Sequence, residues 1–155
     1  MPTEIERKFL VKGEAWRSLS PTGTVYRQGY IPTQNRTTVR VRLVGEQGYI
    51  TLKGLSKGIS RAEYEYPIPA QDAREMLNTF CDRPLIEKTR YKLEFAGLIW
   101  EVDEFAGENQ GLILAEVELT DENQIVELPD WIGKDVSDDP RYYNANLVQH
   151  PYSQW

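Results

Sequence analysis

The stretch MPTEIERKFLV (residues 1–11) alternates with a period of two: Glu4, Glu6 and Lys8 against Ile5, Arg7 and Phe9. In an extended strand every second side chain leaves from the same face. Read as a strand, the stretch places two carboxylates and an ammonium together on one face. A strand ordinarily turns one face to a core and the other to water. The charged row is therefore either a wet face or the lining of something, and the segments that follow decide between the two.

Strand-like segments dominate the chain. After the opening come VYRQGYI (Val25–Ile31), TVRVRLV (Thr38–Val44), YITLKG (Tyr49–Gly54) and AEYEYPI (Ala62–Ile68). Then follow IEKTRYKLEF (Ile86–Phe95), LIWEVDEF (Leu98–Phe105) and LILAEVEL (Leu112–Leu119). Each is short, rich in β-branched or aromatic residues, and bounded by Gly, Pro, Asn or Asp. Helical signals are fewer. After Pro69, QDAREMLNTF places Ala73, Met76, Leu77 and Phe80 on one face of an amphipathic helix. Short helices are expected near Glu14–Leu19 and Thr120–Val126, the latter with Thr120 as N-cap, and one more in the tail RYYNANLVQHP. Many antiparallel strands with few helices indicate a mainly β (α+β) protein with a closed or nearly closed barrel.

The charged parity of the opening repeats in six further strands. Arg40 and Arg42 stand against Val39, Val41 and Leu43; Lys53 against Ile50 and Leu52; Glu63 and Glu65, in step with Arg61, against Tyr64, Tyr66 and Ile68. Lys88, Arg90 and Lys92 oppose Thr89, Tyr91 and Leu93; Glu101 and Asp103 oppose Trp100 and Val102; Glu116 and Glu118 oppose Ala115, Val117 and Leu119. A half-exposed sheet with polar residues outside explains any one strand. It explains the set poorly. Exposed faces are usually mixed, whereas this row is almost purely Glu, Asp, Arg and Lys, and like charges at i, i+2 repel across a sheet. Such pairs make sense against a ligand of opposite sign. Crowded carboxylates suit hard divalent cations such as Mg²⁺ or Mn²⁺; rows of Arg and Lys suit a polyanion, with Arg matched to phosphate oxygens. A chain of phosphates with bound metal satisfies both sets.

Composition sets the frame. With 155 residues, 40% of them apolar and 27% charged, the chain reads as one soluble domain spanning 1–155. Its net charge of −6 argues against a general nucleic-acid or membrane binder. Cys81 is the only cysteine, which excludes an intramolecular disulfide and a Cys-based metal site. The charged N-terminus lacks a signal-peptide core, and no apolar run approaches membrane-spanning length, so a reducing cytoplasmic setting is expected.

The ordered motifs EIERKFL, RQGY, VRVR, TLKG, SRAEYE, EKTRY, WEVDEF, AEVEL and VSDDPRYYN, running from Glu4 to Asn144, resemble the CYTH superfamily, the triphosphate tunnel metalloenzymes. The likeness covers essentially the whole chain, which in length and motif resembles the small bacterial inorganic triphosphatases of that superfamily. The resemblance implies an eight-stranded antiparallel closed β-barrel with a charged lumen and a few peripheral helices. It implies metal ligation by Glu4, Glu6, Glu116 and Glu118, with Asp103 joining them. Lys8, Arg40, Arg42, Lys53, Lys88 and Arg90 correspond to the residues that grip the triphosphate. Glu63 and Glu65 correspond to a further acidic pair that holds metal, positions water or orients the bases, and Tyr30 with Lys88 is the candidate base or water-orienting pair. The expected reaction is hydrolysis of tripolyphosphate to pyrophosphate and phosphate with Mg²⁺ or Mn²⁺.

Within the same family, class IV adenylate cyclases, thiamine triphosphatases and RNA 5′-triphosphatases are alternatives. The first would carry an HF-like lead where this chain has MPTEIERK, and the second needs material for an organic group that the short loops do not offer. A polyphosphate- or nucleotide-binding sensor is the alternative outside enzymes, and it would not need both the acids and the bases. The expected partner is a small triphosphate, with neither nucleic acid nor membrane, and a homodimer would cover the apolar exterior. His150 reads as a surface residue, Cys81 as buried or idle, and Trp16, Trp100 and Trp131 as packing anchors. Lys134 and Arg141 either reach a tunnel mouth or are simply solvated.

Overall fold

A computed structural model gives the fold and describes residues 2–20 and 22–155. The strands are β1 (Thr3–Val11), β2 (Thr24–Ile31), β3 (Thr38–Val44), β4 (Gln47–Lys53), β5 (Ser60–Ile68), β6 (Ile86–Phe95), β7 (Leu98–Phe105), β8 (Ile113–Glu118) and β9 (Ile132–Asp135). The helices are α1 (Ala70–Thr79) and α2 (Asn144–Gln149), and short 3-10 turns include Ala15–Leu19 and Pro140–Tyr142. Neighbouring strands run in the order β5-β4-β3-β2-β6-β7-β8-β1, and β1 pairs again with β5 to close the sheet on itself. All pairings are antiparallel. One edge of β1 is divided, with Thr3–Ile5 against β5 and Phe9–Val11 against β9, while its other edge holds β8. Eight strands thus make the barrel, and β9 is an added ribbon.

Closure fixes the meaning of strand parity, because one face of every strand must now line the interior. That face is the charged one. The hydrophobic cores lie outside the barrel wall. Phe9, Trp100, Val102, Ala115 and Val117 point outward and pack with Trp16 and with Trp131 and Ile132 around β9. The centroids of Trp100 and Trp131 are 6.0 Å apart, edge to face, so these tryptophans are packing anchors. On the opposite wall Ala73 and Leu77 of α1 pack on Val41 and Leu43 of β3. The helix approaches so closely that a Cβ at Gly48 would stand 2.8 Å from the Ala73 Cβ, and only glycine fits there.

At the barrel end where β6 begins, the inward row turns from charged to apolar. Ile86, Phe105 and Leu114 meet Val136, Tyr142, Leu147 and Val148 of the C-terminal segment. The segment stoppers this end of the lumen because it supplies the apolar partner those three residues lack.

Three local expectations change. Thr120–Val126 forms turns, not a helix. The Asp121 carboxylate accepts from the Asn123 N–H, Gln124 Oε1 accepts from the Thr120 N–H, and Ile125 is 95% exposed. Local side-chain bonds outcompete a helix that would bury no face. Phe80 lies beyond the last residue of α1 and is exposed. β9 has no counterpart among the strands read from the sequence, being four residues long and held by its pairing to β1. Among the described residues, no helix is long and apolar enough to cross a membrane.

Candidate active site in the barrel lumen

A cavity of about 410 Å³ runs through the lumen, walled by Glu4, Glu6, Lys8, Tyr30, Arg40, Arg42, Lys53, Glu63, Glu65, Lys88, Arg90, Glu116 and Glu118. The strands place these side chains by alternation alone: β1 supplies three, β3 two, β5, β6 and β8 two each. Of the residues singled out for chemistry, only Asp103 is not on the cavity wall.

Asp103 lies just behind the bases. It is 1% exposed, and its two oxygens accept from Arg90 Nε (2.7 Å) and a terminal Arg90 nitrogen (2.9 Å), with Lys88 Nζ at 2.7 Å. Both oxygens are paired with cations, so Asp103 is placed to orient Arg90 and Lys88. Burial pushes its carboxyl up, but the charges of Lys88 and Arg90 outweigh that and hold it below the usual range.

The remaining acids fall into two groups. Glu4 is paired with Lys53 (2.9 Å) and Arg61 (3.5 Å), Glu65 with Arg40 (3.2 Å), and Glu116 with Lys8 (3.3 Å). Glu6 and Glu118, which face each other across the β1–β8 ladder, have no cation within ion-pairing distance among the described residues. Burial, then the charges of Glu116 and Glu4, push the Glu6 carboxyl up to about 8. Burial and the charges of Glu4 and Glu101 raise Glu118 as well. Burial and a proton shared with Glu4 push Glu63 up to about 7. Burial raises Glu4 too, but the Glu63 hydrogen bond and the Lys53 charge bring it to about 2. Negative charge along β1 and β8 is thus under-compensated within the protein.

These donors fit a hard divalent cation. They are carboxylate oxygens without thiolate or imidazole, and they repel one another when no cation lies between them. Among the described residues no three acidic side chains converge as a ready-made cage.

The basic wall is built to receive an anion. Arg40 donates to Thr51 Oγ1 and Glu65 (both 3.2 Å), yet its buried Nε has no partner among the described residues. A buried donor without a partner costs on the order of 1–3 kcal/mol until something accepts from it. Arg42 is desolvated and lies near Arg40 and Arg90, which together push its guanidinium down to about 10. Burial likewise pushes Lys88 down to about 7, against the pull of Asp103 and with the push of Arg90 and Arg42.

A polar node joins the two candidate proton carriers. Gln28, fully buried, donates to Tyr30 Oη (3.1 Å) and to Asn144 Oδ1 (3.2 Å), and accepts from Arg42 Nε (2.8 Å). Lys88 Nζ donates to the same Asn144 oxygen (2.9 Å). The C-terminal segment adds the Tyr142 carbonyl, which accepts from Lys8 Nζ (3.2 Å). Gln28 shares the lumen parity of Tyr30 as its motif RQGY implies, and the same parity, on β2 and β4, is the signal that marks Tyr26 and Thr51. Ser137 comes from irregular chain and Asn144 from the first turn of α2, and neither carries such a signal. His150 is exposed and Cys81 half-buried, and Arg141 pairs with its neighbour Asp139 (2.8 Å).

Residues 2–152 match the CYTH domain family. The chain belongs to that family. As a CYTH domain it is 55% identical over 155 residues to an inorganic triphosphatase of Acetivibrio thermocellus, covering 100% of this chain and 99% of that protein. It is 39% identical to an inorganic triphosphatase of Nitrosomonas europaea, covering 94% and 97%. The crystal structure of an inorganic triphosphatase superposes with a TM-score of 0.64 at 36% identity, covering 96% and 95%. A conserved hypothetical protein of Pyrococcus furiosus (TM-score 0.60, 21% identity, coverage 77% and 80%) shares the fold.

Proposed function

We propose that this CYTH domain hydrolyses inorganic triphosphate to pyrophosphate and phosphate, with Mg²⁺ or Mn²⁺, inside the barrel. The observation that carries the reading is one cavity with two unmet demands on its walls: a partnerless buried guanidinium nitrogen at Arg40 and a cation-free carboxylate pair at Glu6 and Glu118. A metal–triphosphate complex meets both. The names of the relatives support the same substrate.

Lys8, Arg40, Arg42, Lys53 and Arg90 would bind the phosphate oxygens, with Glu65 and Asp103 orienting Arg40 and Arg90. Glu4, Glu6, Glu116 and Glu118 would hold the cation, which supplies charge neutralisation on the phosphates and lowers the pKa of bound water. Lys88, with its ammonium near pH 7 in pKa, is neutral in part at physiological pH and can take a proton from the attacking water. Tyr30 Oη accepts from Gln28, which leaves its own proton to orient that water. The water oxygen bonds to the terminal phosphorus, its proton passes to Lys88 Nζ, and the bond to the diphosphate breaks. Positioning and charge supply most of the rate in such transfers.

The test is phosphate release from tripolyphosphate, ATP, thiamine triphosphate and pyrophosphate with each metal. Turnover of tripolyphosphate well above the others, lost in Glu116→Ala with the fold intact, is expected. Tight tripolyphosphate binding without release from any substrate would instead make the protein a polyphosphate sensor.

A further inference from the structure

The phosphate-gripping cations need something to hold them in place before the anion arrives. Arg42 and Arg90 both aim into the lumen from strands that flank β2, and each carries a full positive charge beside the other. Like-charged groups in a partly desolvated tunnel drive each other apart, by about 4 kcal/mol at 4 Å separation for an effective dielectric near 20. Arg90 is braced by Asp103 and Glu101, whereas Arg42, among the described residues, is hydrogen-bonded only at its Nε, by Gln28.

Between them stands Tyr26, on β2. The Arg42 guanidinium carbon lies 4.9 Å from its ring centroid and the Arg90 carbon 4.8 Å. Tyr26 lines the main cavity and also a second one of about 390 Å³, which opens at the barrel end where β2 begins. That second cavity carries Thr24, Val44 and Lys92 and shares only Tyr26 and Arg90 with the first. Tyr26 and Arg90 are therefore the residues common to the two cavities.

We infer that Tyr26 is a positioning residue for the anion cradle: its π-face holds the Arg42 and Arg90 guanidinium groups in place for phosphate. The ring quadrupole attracts both cations, and a flat ring between them sets their spacing. The role belongs to the ring, not to the hydroxyl. Rigid spacing counts because a bidentate guanidinium–phosphate contact tolerates little misplacement. The inference rests on the triphosphatase reading for its substrate, but it can be measured without turnover.

The experiment compares Tyr26→Phe, Tyr26→Leu and Tyr26→Met with the unaltered protein, Met serving should Leu not fold. Tripolyphosphate binding is followed by calorimetry in EDTA, where only the bases act, and kcat and KM are measured with excess Mg²⁺. Leu and Met are expected to weaken binding in EDTA and to raise KM by about tenfold, which corresponds to about 1.4 kcal/mol, with kcat within about twofold. Phe is expected to restore both. Unchanged binding and KM in Leu and Met overturns the inference, as does a Phe variant as weak as Leu. Absence of turnover in the unaltered protein with normal binding in EDTA would sink the hydrolase reading while leaving the Tyr26 comparison intact.

Discussion

Asp103→Asn separates the two roles that a buried lumen carboxylate can play. In the native protein Asp103 neutralises Arg90 and Lys88 at 2.7 Å each and is almost without solvent contact. Removing the charge leaves two cations facing a buried dipole. Breaking a buried pair by altering one partner costs about 3–5 kcal/mol. The amide oxygen still accepts from Arg90, so the loss sits toward the lower end, about 3 kcal/mol. At about 2–4 °C per kcal/mol for a chain of this size, the melting temperature in EDTA should fall by roughly 6–12 °C. Because the Asp103 carboxylate holds its pKa below the ordinary value, its stabilisation is present above the unfolded pKa near 4 and vanishes as pH falls through the folded one. The gap between variant and native protein should therefore close on acidification. Calorimetric melts across pH 3–8 in EDTA measure this, and Mg²⁺ titrations of activity complete the assay. A residue that orients bases leaves the Mg²⁺ midpoint in place and raises KM for tripolyphosphate. A melt within about 2 °C of native, together with a tenfold higher Mg²⁺ midpoint, would refute this placement and make Asp103 a metal ligand.

Further outcomes follow from the same geometry. Glu6→Gln should raise the melting temperature in EDTA at pH 8, because its folded pKa near 8 exceeds the unfolded value and ionisation on raising the pH costs stability; the same variant should lose the melting rise given by Mg²⁺. The kcat/KM profile for tripolyphosphate should climb through about pH 7 as Lys88 of the free enzyme loses its proton, and Lys88→Arg, which stays charged, should remove that limb along with most of the rate. Gln28→Leu should strand Arg42 Nε and Tyr30 Oη and cut kcat at least tenfold, whereas Asn144→Leu, which removes only the acceptor for Lys88 and Gln28, should have a smaller effect on KM than on kcat.

The barrel was legible because closure leaves parity no freedom. Once Glu4, Glu6 and Lys8 are inside, the pleat puts Arg40, Lys53, Lys88 and Glu116 inside with them, and the alternation in each strand already carries that information. What alternation cannot show is depth within the wall and distance between strands. Asp103 shares the parity of Glu101, yet it sits behind the bases because Arg90 and Lys88 reach over it from β6. Asn144, at the start of α2, and the Tyr142 carbonyl, at the end of the preceding 3-10 turn, enter the site through the packing of Leu147 and Val148 and not by any periodic signal. The short β9 is likewise decided by its partner β1 and not by its own four residues.

An inverted barrel changes what substrate binding does to the protein as a whole. Ordinary domains bury apolar side chains centrally, so a ligand adds little to a core that is already complete. Here the apolar clusters form an outer shell against α1, the Trp16 turn and β9, while the centre holds desolvated groups of one kind on each wall: the Glu6 and Glu118 carboxyls, whose ionisation burial opposes, and Arg40 with Arg42 and Lys53. Each is a cost that the shell must outweigh in the empty protein. A metal–triphosphate complex removes those costs on both walls at once, so its stabilising effect should exceed the sum of metal alone and triphosphate alone. Melting temperatures of the Lys88→Arg variant, which is expected to turn over little, with Mg²⁺, with tripolyphosphate in EDTA, and with both form a thermodynamic cycle that reads this coupling directly. Additive shifts would mean that the two walls act independently, and the reading of the lumen as one paired site would not survive.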